Sequence, residues 1–292
     1  MAVPYSQAIS QYLDNHTYVK KDGSWETVED VRIKDGGTWR DVKTVYIKDG
    51  GSWRTVHEGD HFLFNYTDSS NSQSQLSLST ILSNAGYSSG PIKGAITINC
   101  KRRRVNLGNY SGKVYLRINS GKKISGAGGN GGNRGGQNGA GGQDALYSSG
   151  TPFLLDNAGM IAGGGGGGGG GQNAQCTYQN TYTYGCMKGN QCQGTDQQFA
   201  NANGGGGGGG AGYPGGQGKH GGNNGQETGG GGGGGNGGCG SNSGGKGGNL
   251  GQAGQNAGGN GGSKGYAIEG NNHKISNVGS GSGDLRGGTS NT

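Results

Sequence analysis

The alternation of apolar and polar residues is most regular in residues 17–58, where one short motif occurs three times. Each copy places Lys, Asp and Gly just before a tryptophan, and Trp25, Trp39 and Trp53 recur every 14 residues. The Asp-Gly and Gly-Gly pairs supply the positive-φ positions of a tight turn, and the flanking residues alternate as in a two-faced strand. The pattern predicts three β-hairpins in one meander, whose tryptophans share a face with three valines. These valines are Val28, Val42 and Val56.

A repeat of this length cannot enclose a core of its own. The hairpins are therefore predicted to pack against neighbours or a partner chain, with the three tryptophans as attachment residues. Residues 1–16 have a weak helical spacing of apolar positions and are predicted to form an N-terminal arm. Residues 59–125 are predicted to form a small β-domain with a short helix near residues 76–82. The strands predicted in it are residues 61–66, 94–99 and 113–118.

The remainder of the chain is unusually rich in glycine. Only 12 of the 77 glycines precede residue 126, so 65 lie in residues 126–292. Apolar residues in that half are too few for an ordinary hydrophobic core. Backbone hydrogen bonding must therefore provide whatever order it has.

The glycines follow two patterns. Three runs are pure glycine, at residues 163–171, 204–210 and 229–235, whereas the segments around them carry a side chain at every third position. Three residues per turn is the repeat of the polyproline-II helix, which makes no internal hydrogen bonds. Its buried amides must therefore bond to neighbouring helices, and close backbone approach requires glycine on each touching face.

The sequence therefore predicts a bundle of left-handed, extended polyglycine-II helices, with the pure runs inside and the decorated segments outside. The fold class expected for the whole chain is mainly β and irregular, with residues 126–292 as the glycine-rich receptor-binding domain. Too few prolines and no sustained Gly-X-Y register exclude collagen. The glycines expected to form the scaffold are Gly163, Gly167, Gly171, Gly207 and Gly232.

Three segments between glycine runs have a different composition: residues 172–203, 211–228 and 236–243. Tyrosines among small and amide residues are typical of adaptable binding surfaces, and loops on a stiff scaffold often carry function. The alternative is that these segments are only crossovers between helices. The residues predicted to contact a receptor are Tyr178, Tyr182, Tyr184, Met187, Lys188, Phe199, Tyr213, Lys219, His220 and Asn236.

The charged and sulfur-containing residues leave alternatives open. Residues 101–104 read Lys-Arg-Arg-Arg. This run is a solvated strand or loop, a site for nucleic acid or anionic lipid, or a handle for acidic sugars. Cys176, Cys186 and Cys192 are either free thiols or include a bridge formed in an oxidising medium. The sequence contains no recognisable secretory signal or transmembrane run.

No catalytic or cofactor-binding chemistry is predicted. The five histidines lack metal-ligand spacing, and no pair of carboxylates suggests glycosidase chemistry. Glycine-rich nucleotide motifs carry no weight in a chain so rich in glycine. We therefore expect a protein that is not an enzyme and needs no metal or cofactor.

Residues 155–162, which run into the first glycine run, resemble the core of the glycine-rich distal tail-fibre adhesins of T-even-type bacteriophages. Residues 114–118, followed by residues 128–132, resemble the entry into that core. Residues 264–270, together with 277–279, resemble its exit. The resemblance covers roughly residues 113–290. The Lys-Asp-Gly-Gly-x-Trp hairpins are instead similar to repeats of other phage tail proteins.

The resemblance implies a sandwich of polyglycine-II helices whose distal loops contact an outer-membrane protein or lipopolysaccharide of the host. These loops would be the three segments described above. The expected protein is a tail adhesin in the virion, made in the host cytoplasm, that binds other tail proteins as a monomer or a homotrimer. Neither nucleic-acid binding nor membrane insertion is expected. The alternative is a structural tail or baseplate component that serves assembly alone.

Overall fold

The computed structural model describes most of the chain, including the glycine-rich half. The described residues are 17–28, 31–42, 44–58, 61–186, 191–227, 230–237, 243–270, 273–275 and 284–290. The predicted N-terminal arm, residues 1–16, lies outside these ranges. Among the described residues, no helix is long and apolar enough to cross a bilayer.

Three antiparallel hairpins begin the described chain, as the repeat predicts. Their strands are β1 (Thr17–Lys21), β2 (Ser24–Val28), β3 (Arg32–Asp35), β4 (Thr38–Asp41), β5 (Thr44–Asp49) and β6 (Ser52–Glu58). Each hairpin is a separate two-stranded sheet, so the predicted meander is wrong. The tight turn closes each pair locally, and no described strand of one hairpin pairs with a strand of another.

The hairpin turns have the geometry that the sequence predicts. The turn residues Gly36, Gly37, Gly50 and Gly51 all have positive φ, as a type I′ turn requires. In the second hairpin Lys34 lies opposite Trp39, and its ammonium group is 5.9 Å from the ring centroid. The third hairpin repeats this arrangement with Lys48 and Trp53 at the same distance.

The central body is built from short parallel strands and one described helix, α1 (Leu78–Asn84). The strands before the glycine segments are β7 (Phe62–Asp68), β8 (Ser72–Ser77), β9 (Ile92–Ile98), β10 (Lys101–Asn106), β11 (Gly112–Ile118) and β12 (Lys123–Ser125). The later strands are β13 (Leu146–Ser148), β14 (Phe153–Asn157), β15 (Met160–Ala162), β18 (Ile268–Gly270), β19 (His273–Ile275), β20 (Asp284–Arg286) and β21 (Thr289–Ser290). The predicted strands at 61–66, 94–99 and 113–118 correspond to β7, β9 and β11, and the predicted helix begins two residues later than expected.

The strands form two parallel sheets, and the chain passes from one to the other. The first sheet has the order β19-β14-β11-β9-β7, and the second has the order β20-β15-β12-β10-β13-β18-β21, with β8 also paired to β10. Each passage through both sheets makes one coil of a parallel β-solenoid. The core between the sheets contains Ile96, Leu116, Ile124, Leu146 and Leu155, all fully buried.

The glycine-rich segments are insertions into two successive coils of this solenoid. In one coil residues 126–145 separate β12 from β13, and in the next coil residues 163–267 separate β15 from β18. These four strands lie in the second sheet, where β12 pairs with β15 and β13 pairs with β18. The predicted boundary at residue 125 therefore does not divide the structure, because strands on both sides of it share the same sheets.

The first pure run, residues 163–171, contains no α-helix or β-strand, and its backbone bonds to surrounding segments. The amides of Gly164, Gly167 and Gly170 donate to one neighbour, and the intervening amides donate to two others, at 2.7–3.0 Å. Residues 137–144, 204–211 and 252–256 accept these bonds. The run's carbonyls accept amides from residues 126–136, 243–251 and 259–265. Six neighbours therefore surround this run, and the bonding pattern repeats every third residue.

The second run has the same environment. Residues 204–211 donate to segments 126–133, 220–226 and 243–249, and accept from 163–171, 215–219 and 230–235. All residues of both runs are buried. We call residues 163–171 and 204–211 the inner segments. Backbone hydrogen bonds on all sides take the place of side-chain packing there.

Burial in the outer segments follows the period of three. In residues 128–133, Asn130 and Asn133 are exposed, whereas Gly129, Gly131 and Gly132 are buried. The third run differs from expectation: residues 230–235 have three neighbours and are only partly buried. A pure glycine run is therefore compatible with a surface position as well as an inner one.

The basic run at residues 101–104 is part of β10 and is not a free charged patch. Arg102 is buried and donates two hydrogen bonds of 2.5 Å to Asp68, which is also buried. Arg103 donates to the side chain of Gln143, and the Arg104 guanidinium lies 5.2 Å from the ring centroid of Tyr147. Only Lys101 is exposed. The three arginines therefore make contacts within the structure. Little positive charge in this run is left to bind a nucleic acid or an acidic sugar.

Burial and Asp68 also determine the titration of the groups at this corner. Burial lowers the pKa of the Arg102 guanidinium, but the hydrogen bonds and charge of Asp68 outweigh this effect and raise the pKa overall. Burial, followed by the hydrogen bond and charge of Asp68, raises the pKa of the neighbouring Cys100 thiol to about 11. The Cys100 thiol is therefore neutral at physiological pH.

Replacing an inner glycine should disrupt the glycine segments. A Cβ at Gly167 would overlap the carbonyl of Asn130, whereas at Gly233 it would meet only the Asn223 side chain at 3.5 Å. We expect Gly167→Ala to lower the free energy of unfolding by about 3 kcal/mol or more, because backbone on that side cannot yield. Gly233→Ala should change it by less than about 0.5 kcal/mol. Chemical denaturation measures both, and equal effects would contradict this packing.

Removing the buried carboxylate should destabilise the solenoid. Asp68→Asn leaves the Arg102 charge unpaired in the interior and is expected to lower the free energy of unfolding by about 3–5 kcal/mol. The matched control is Asp284→Asn, which removes an exposed ion pair with Arg286 and should change stability by less than about 0.5 kcal/mol. Thermal and urea unfolding compare the variants. A stable Asp68→Asn protein would show that the pair contributes little.

Candidate functional site

The glycine segments have two ends with different surroundings. At one end they join the solenoid: the amide of Gly126 donates to Ala162, and that of Gly163 donates to Arg286. We call this the junction end. At the opposite end Gly135 donates to Gly171. We call this the distal end, because it lies farthest along the segments from the sheets.

A long two-stranded ribbon leaves the distal end. Strand β16 (Ala174–Gly185) follows one inner segment directly, and strand β17 (Gln191–Ala202) leads directly into the other. The two strands are antiparallel and pair over 12 consecutive positions without a bulge. At about 3.4 Å per residue the ribbon is about 40 Å long. The segment predicted as a distal loop is therefore an extended β-ribbon, and each of its two strands continues into an inner segment at the base.

Covalent and hydrogen bonds restrain the two ends of the ribbon. At the base, the amide of Gly204 donates to the Asn173 side chain at 3.1 Å. Toward the tip, Cys186 and Cys192 form a disulfide across the connection. Cys176 is disulfide-bonded as well. Of the two alternatives left open for these cysteines, the structure therefore contains the bridged one. An isolated two-stranded ribbon is only marginally stable, so these restraints help to keep it ordered.

Strand periodicity places three of the predicted contact residues on one face. Tyr178, Tyr182 and Tyr184 are separated by even numbers of residues along β16 and therefore point the same way. The ring centroids of Tyr182 and Tyr184 are 5.9 Å apart. All three side chains are close to half exposed, at 46–49%. We call this surface the tyrosine face.

Cross-strand neighbours hold the tyrosines in place. The Tyr178 hydroxyl donates to the Gln198 side chain at 2.8 Å. Gly194 lies opposite Tyr182, and a Cβ at this glycine would meet the tyrosine ring at 2.7 Å. Glycine at this position thus lets the ring lie flat across the ribbon.

Phe199 lies on the other face, because it pairs with Thr177, which is one residue out of phase with the tyrosines. Its side chain is 66% exposed. The other side chains of that face are Thr, Gln and Asn. Asp196, which pairs with Asn180 on the tyrosine face, is the one charged residue in the two strands. The described ribbon is therefore an aromatic and amide surface with almost no charge.

Tyr213, also predicted to contact a receptor, is at the junction end and is 7% exposed. Its amide donates to Gly126, and the Lys123 ammonium lies 5.6 Å from its ring centroid. Burial, followed by the charge of Lys101, lowers the pKa of Lys123. The structure therefore corrects the role of Tyr213, which packs where the glycine segments join the solenoid and offers no surface contact.

The segment predicted as a second loop, residues 211–228, mostly belongs to the hydrogen-bonded glycine segments. Residues 215–219 and 222–226 bond to the inner segment 204–211, and a turn at His220 and Gly221 connects them. His220 has positive φ and is exposed, and Lys219 is half-buried beside it. Within the described residues 211–227, the predicted contact residues Lys219 and His220 lie at this turn, at the distal end near the base of the ribbon.

The other predicted site residues are placed as follows. Asn236 is exposed beyond the third glycine run, whereas Met187 and Lys188 lie outside the described residues. The scaffold glycines Gly163, Gly167, Gly171, Gly207 and Gly232 are all buried. Among the attachment residues, Trp39 and Trp53 are 63% and 69% exposed. Trp25 lies in β2, opposite Lys20. No group of three or more metal-ligating side chains occurs in the described part of the chain.

The described chain is thus a β-solenoid with glycine-rich insertions, from which a ribbon with exposed aromatic residues projects. The family model for Phage tail fibre adhesin Gp38 matches residues 63–290. The chain therefore belongs to the Gp38 family of phage tail fibre adhesins. It is accordingly a mainly β tail adhesin, and its place is the virion tail.

The comparison with solved structures finds the crystal structure of the gp37-gp38 adhesin tip complex of the bacteriophage S16 long tail fiber. The identity to that chain is 18%, with a TM-score of 0.40, and the similarity covers 78% of this chain and 83% of that one. No curated protein matches the sequence.

The disulfide toward the tip should order the end of the ribbon without supporting the body. We expect a Cys186→Ser, Cys192→Ser variant to exchange its amides faster near these positions, because the loop loses its closure. Its melting temperature should stay within about 1 °C of the unmodified protein. Hydrogen–deuterium exchange measures the effect, with Cys100→Ala, outside the ribbon, as the control. Unchanged exchange at the ribbon end would contradict this role.

Proposed function

We propose that the ribbon is the element with which this adhesin recognises the host, and that its tyrosine face makes the principal contacts. The receptor would be an outer-membrane protein or lipopolysaccharide of a bacterium. The single observation that carries the proposal is the exposure of three tyrosines on one face of a ribbon anchored in both inner segments. Tyrosine gives a large amphipathic contact area at low entropic cost, which suits it to recognition.

We also propose that the glycine segments form a bundle of polyglycine-II helices. Three observations support this: amides bond to a different neighbour at each of three successive positions, the pattern repeats every third residue, and no positive φ occurs in the inner segments. Three residues per turn is the repeat of this helix type. Such a bundle would hold the ribbon rigidly at the distal end.

The N-terminal hairpins are proposed to attach the adhesin to other tail proteins. Their support is the exposure of Trp39 and Trp53, together with Ile33 and Ile47, on hairpins that bury little of their own surface. Exposed aromatic side chains are enriched at protein interaction sites. We propose in addition that the protein acts by binding alone, without catalysis.

The test of receptor recognition compares two triple variants of β16. Tyr178→Ser, Tyr182→Ser, Tyr184→Ser removes the tyrosine face, whereas Thr177→Ser, Thr181→Ser, Thr183→Ser alters the opposite face of the same strand. Purified protein should block adsorption of the virion to susceptible bacteria. The tyrosine variant is expected to need at least about 10-fold more protein, and the threonine variant about as much as the unmodified protein.

Two outcomes would reject the proposal. Equal blocking by the tyrosine variant would show that the tyrosine face is not the recognition surface. Failure of the unmodified protein to bind bacteria or block adsorption would favour the alternative, in which the chain serves tail assembly alone.

A further inference from the structure

The cysteines that the structure describes are distributed unevenly. Cys176, Cys186 and Cys192 belong to the ribbon or to the connection at its tip, and all three are disulfide-bonded. Cys100, which packs in the solenoid core, is a buried free thiol. Disulfide bonds are therefore found in the ribbon, whereas the described cysteine of the hydrophobic core is reduced.

The ribbon has little noncovalent support of its own. In the sheets of the described chain, β16 and β17 pair with each other and with no further strand. Most of their side chains are exposed, so neither face is packed against a core. A two-stranded ribbon of this kind is only marginally stable in water. The disulfides therefore supply order that side-chain packing supplies in the solenoid.

The disulfides act at both ends of the ribbon. The bond between Cys186 and Cys192 closes the tip, where the two Cα atoms are 5.8 Å apart. Cys176 is the third residue of β16, close to the hydrogen bond between Gly204 and Asn173 at the base. Because the other two ribbon cysteines bond to each other, the partner of Cys176 lies outside the ribbon. Its disulfide thus ties the base of β16 to another part of the chain.

The ribbon cysteines also differ from Cys100 in their access to solvent. Cys176, Cys186 and Cys192 are half-buried, so small thiols and disulfides in solution can reach them. Thiol–disulfide exchange requires both access and a thiolate. Cys100 is 3% exposed, and burial, followed by Asp68, raises the pKa of its thiol to about 11. Redox chemistry at neutral pH is therefore confined to the ribbon.

We infer that the ribbon is a redox-sensitive element, loosely ordered in the reducing cytosol of the host and ordered once its cysteines are oxidised outside the cell. The cytosol keeps thiols reduced, whereas disulfides persist in an oxidising medium. Oxidation fixes the tip and the base and thereby removes much of the conformational freedom of the unpaired strands. Recognition by the ribbon then begins only after release of the virion, and this consequence rests on the proposed function.

The oxidant is a small disulfide in the medium, such as cystine. One cysteine thiolate attacks a sulfur of the small disulfide and displaces a thiolate, which leaves a mixed disulfide. The second cysteine thiolate attacks the protein sulfur of that mixed disulfide and displaces the other thiolate. The two cysteines thus lose two protons and two electrons in all, and the small disulfide is reduced to two thiols.

Trapping of thiols tests when the disulfides form. Infected bacteria and released virions are quenched with acid, and the unfolded protein is alkylated and analysed by mass spectrometry. Cys176, Cys186 and Cys192 should be alkylated in protein from the cell and blocked in protein from the virion. Cys100 should be alkylated in both and serves as the control. Ribbon cysteines that are already blocked inside the cell, or are still free in the virion, would overturn the inference.

Hydrogen exchange tests whether oxidation orders the ribbon. Purified protein is compared after oxidation with cystine and after reduction with dithiothreitol. Amides of residues 177–184 should exchange at least about 10-fold faster in the reduced protein, whereas residues 164–170 and β11 should keep their rates. A Cys176→Ser, Cys186→Ser, Cys192→Ser variant should behave as the reduced protein under both conditions. Equal exchange of the ribbon in oxidised and reduced protein would reject the inference.

Binding to outer-membrane vesicles from susceptible bacteria separates the inference from the proposed function. The oxidised protein should bind at least about 10-fold more tightly than the reduced protein. If both bind equally and only the tyrosine variant loses binding, redox control falls and recognition by the tyrosine face stands. If the oxidised protein has an ordered ribbon but does not bind, the proposed function falls and redox-dependent ordering stands.

Discussion

Hydrogen bonds between backbone amides and carbonyls of neighbouring glycine segments are the interaction on which the rest of the structure depends. In the inner segments every residue is buried, yet none contributes a side chain larger than the methyl of Ala211. The bonds can form only where backbones approach closely, and a Cβ at most inner glycines would overlap a neighbouring carbonyl. Composition is therefore a steric requirement of the fold, as it is at the axis of collagen.

The solenoid and the glycine segments are stabilised by different interactions. Leu116, Ile124 and Leu146 give the solenoid an ordinary hydrophobic core, and the buried pair of Arg102 and Asp68 closes one of its corners. The glycine segments leave and re-enter this body between strands that already belong to one sheet. The strand pairs of this sheet therefore hold both ends of each glycine insertion. A ribbon that continues both inner segments is anchored through them to the solenoid.

The sequence predicts the local features well and the long-range ones poorly. Turn glycines identify the three hairpins, and the period of three identifies which side chains, such as Asn130 and Asn133, face solvent. The solenoid is not foreseeable, because strands of three residues pair across an insertion of about a hundred residues, as β13 does with β18 and β15 does with β20. The sequence does not predict the ribbon, because both of its faces are exposed to solvent and its strands therefore lack apolar alternation. Even spacing does place the three tyrosines on one face. The face that Phe199 occupies depends on the pairing register, and the burial of Tyr213 depends on how the glycine segments meet the solenoid at the junction end.

The central claim is that backbone hydrogen bonding makes the glycine segments as ordered as the hydrophobic core of the solenoid. Amide hydrogen exchange of residues 164–170, compared with that of β11, tests it most directly. The account predicts that both sets exchange slowly and open together in the global unfolding reaction. Exchange of the glycine amides within seconds, while β11 remains protected, would contradict it.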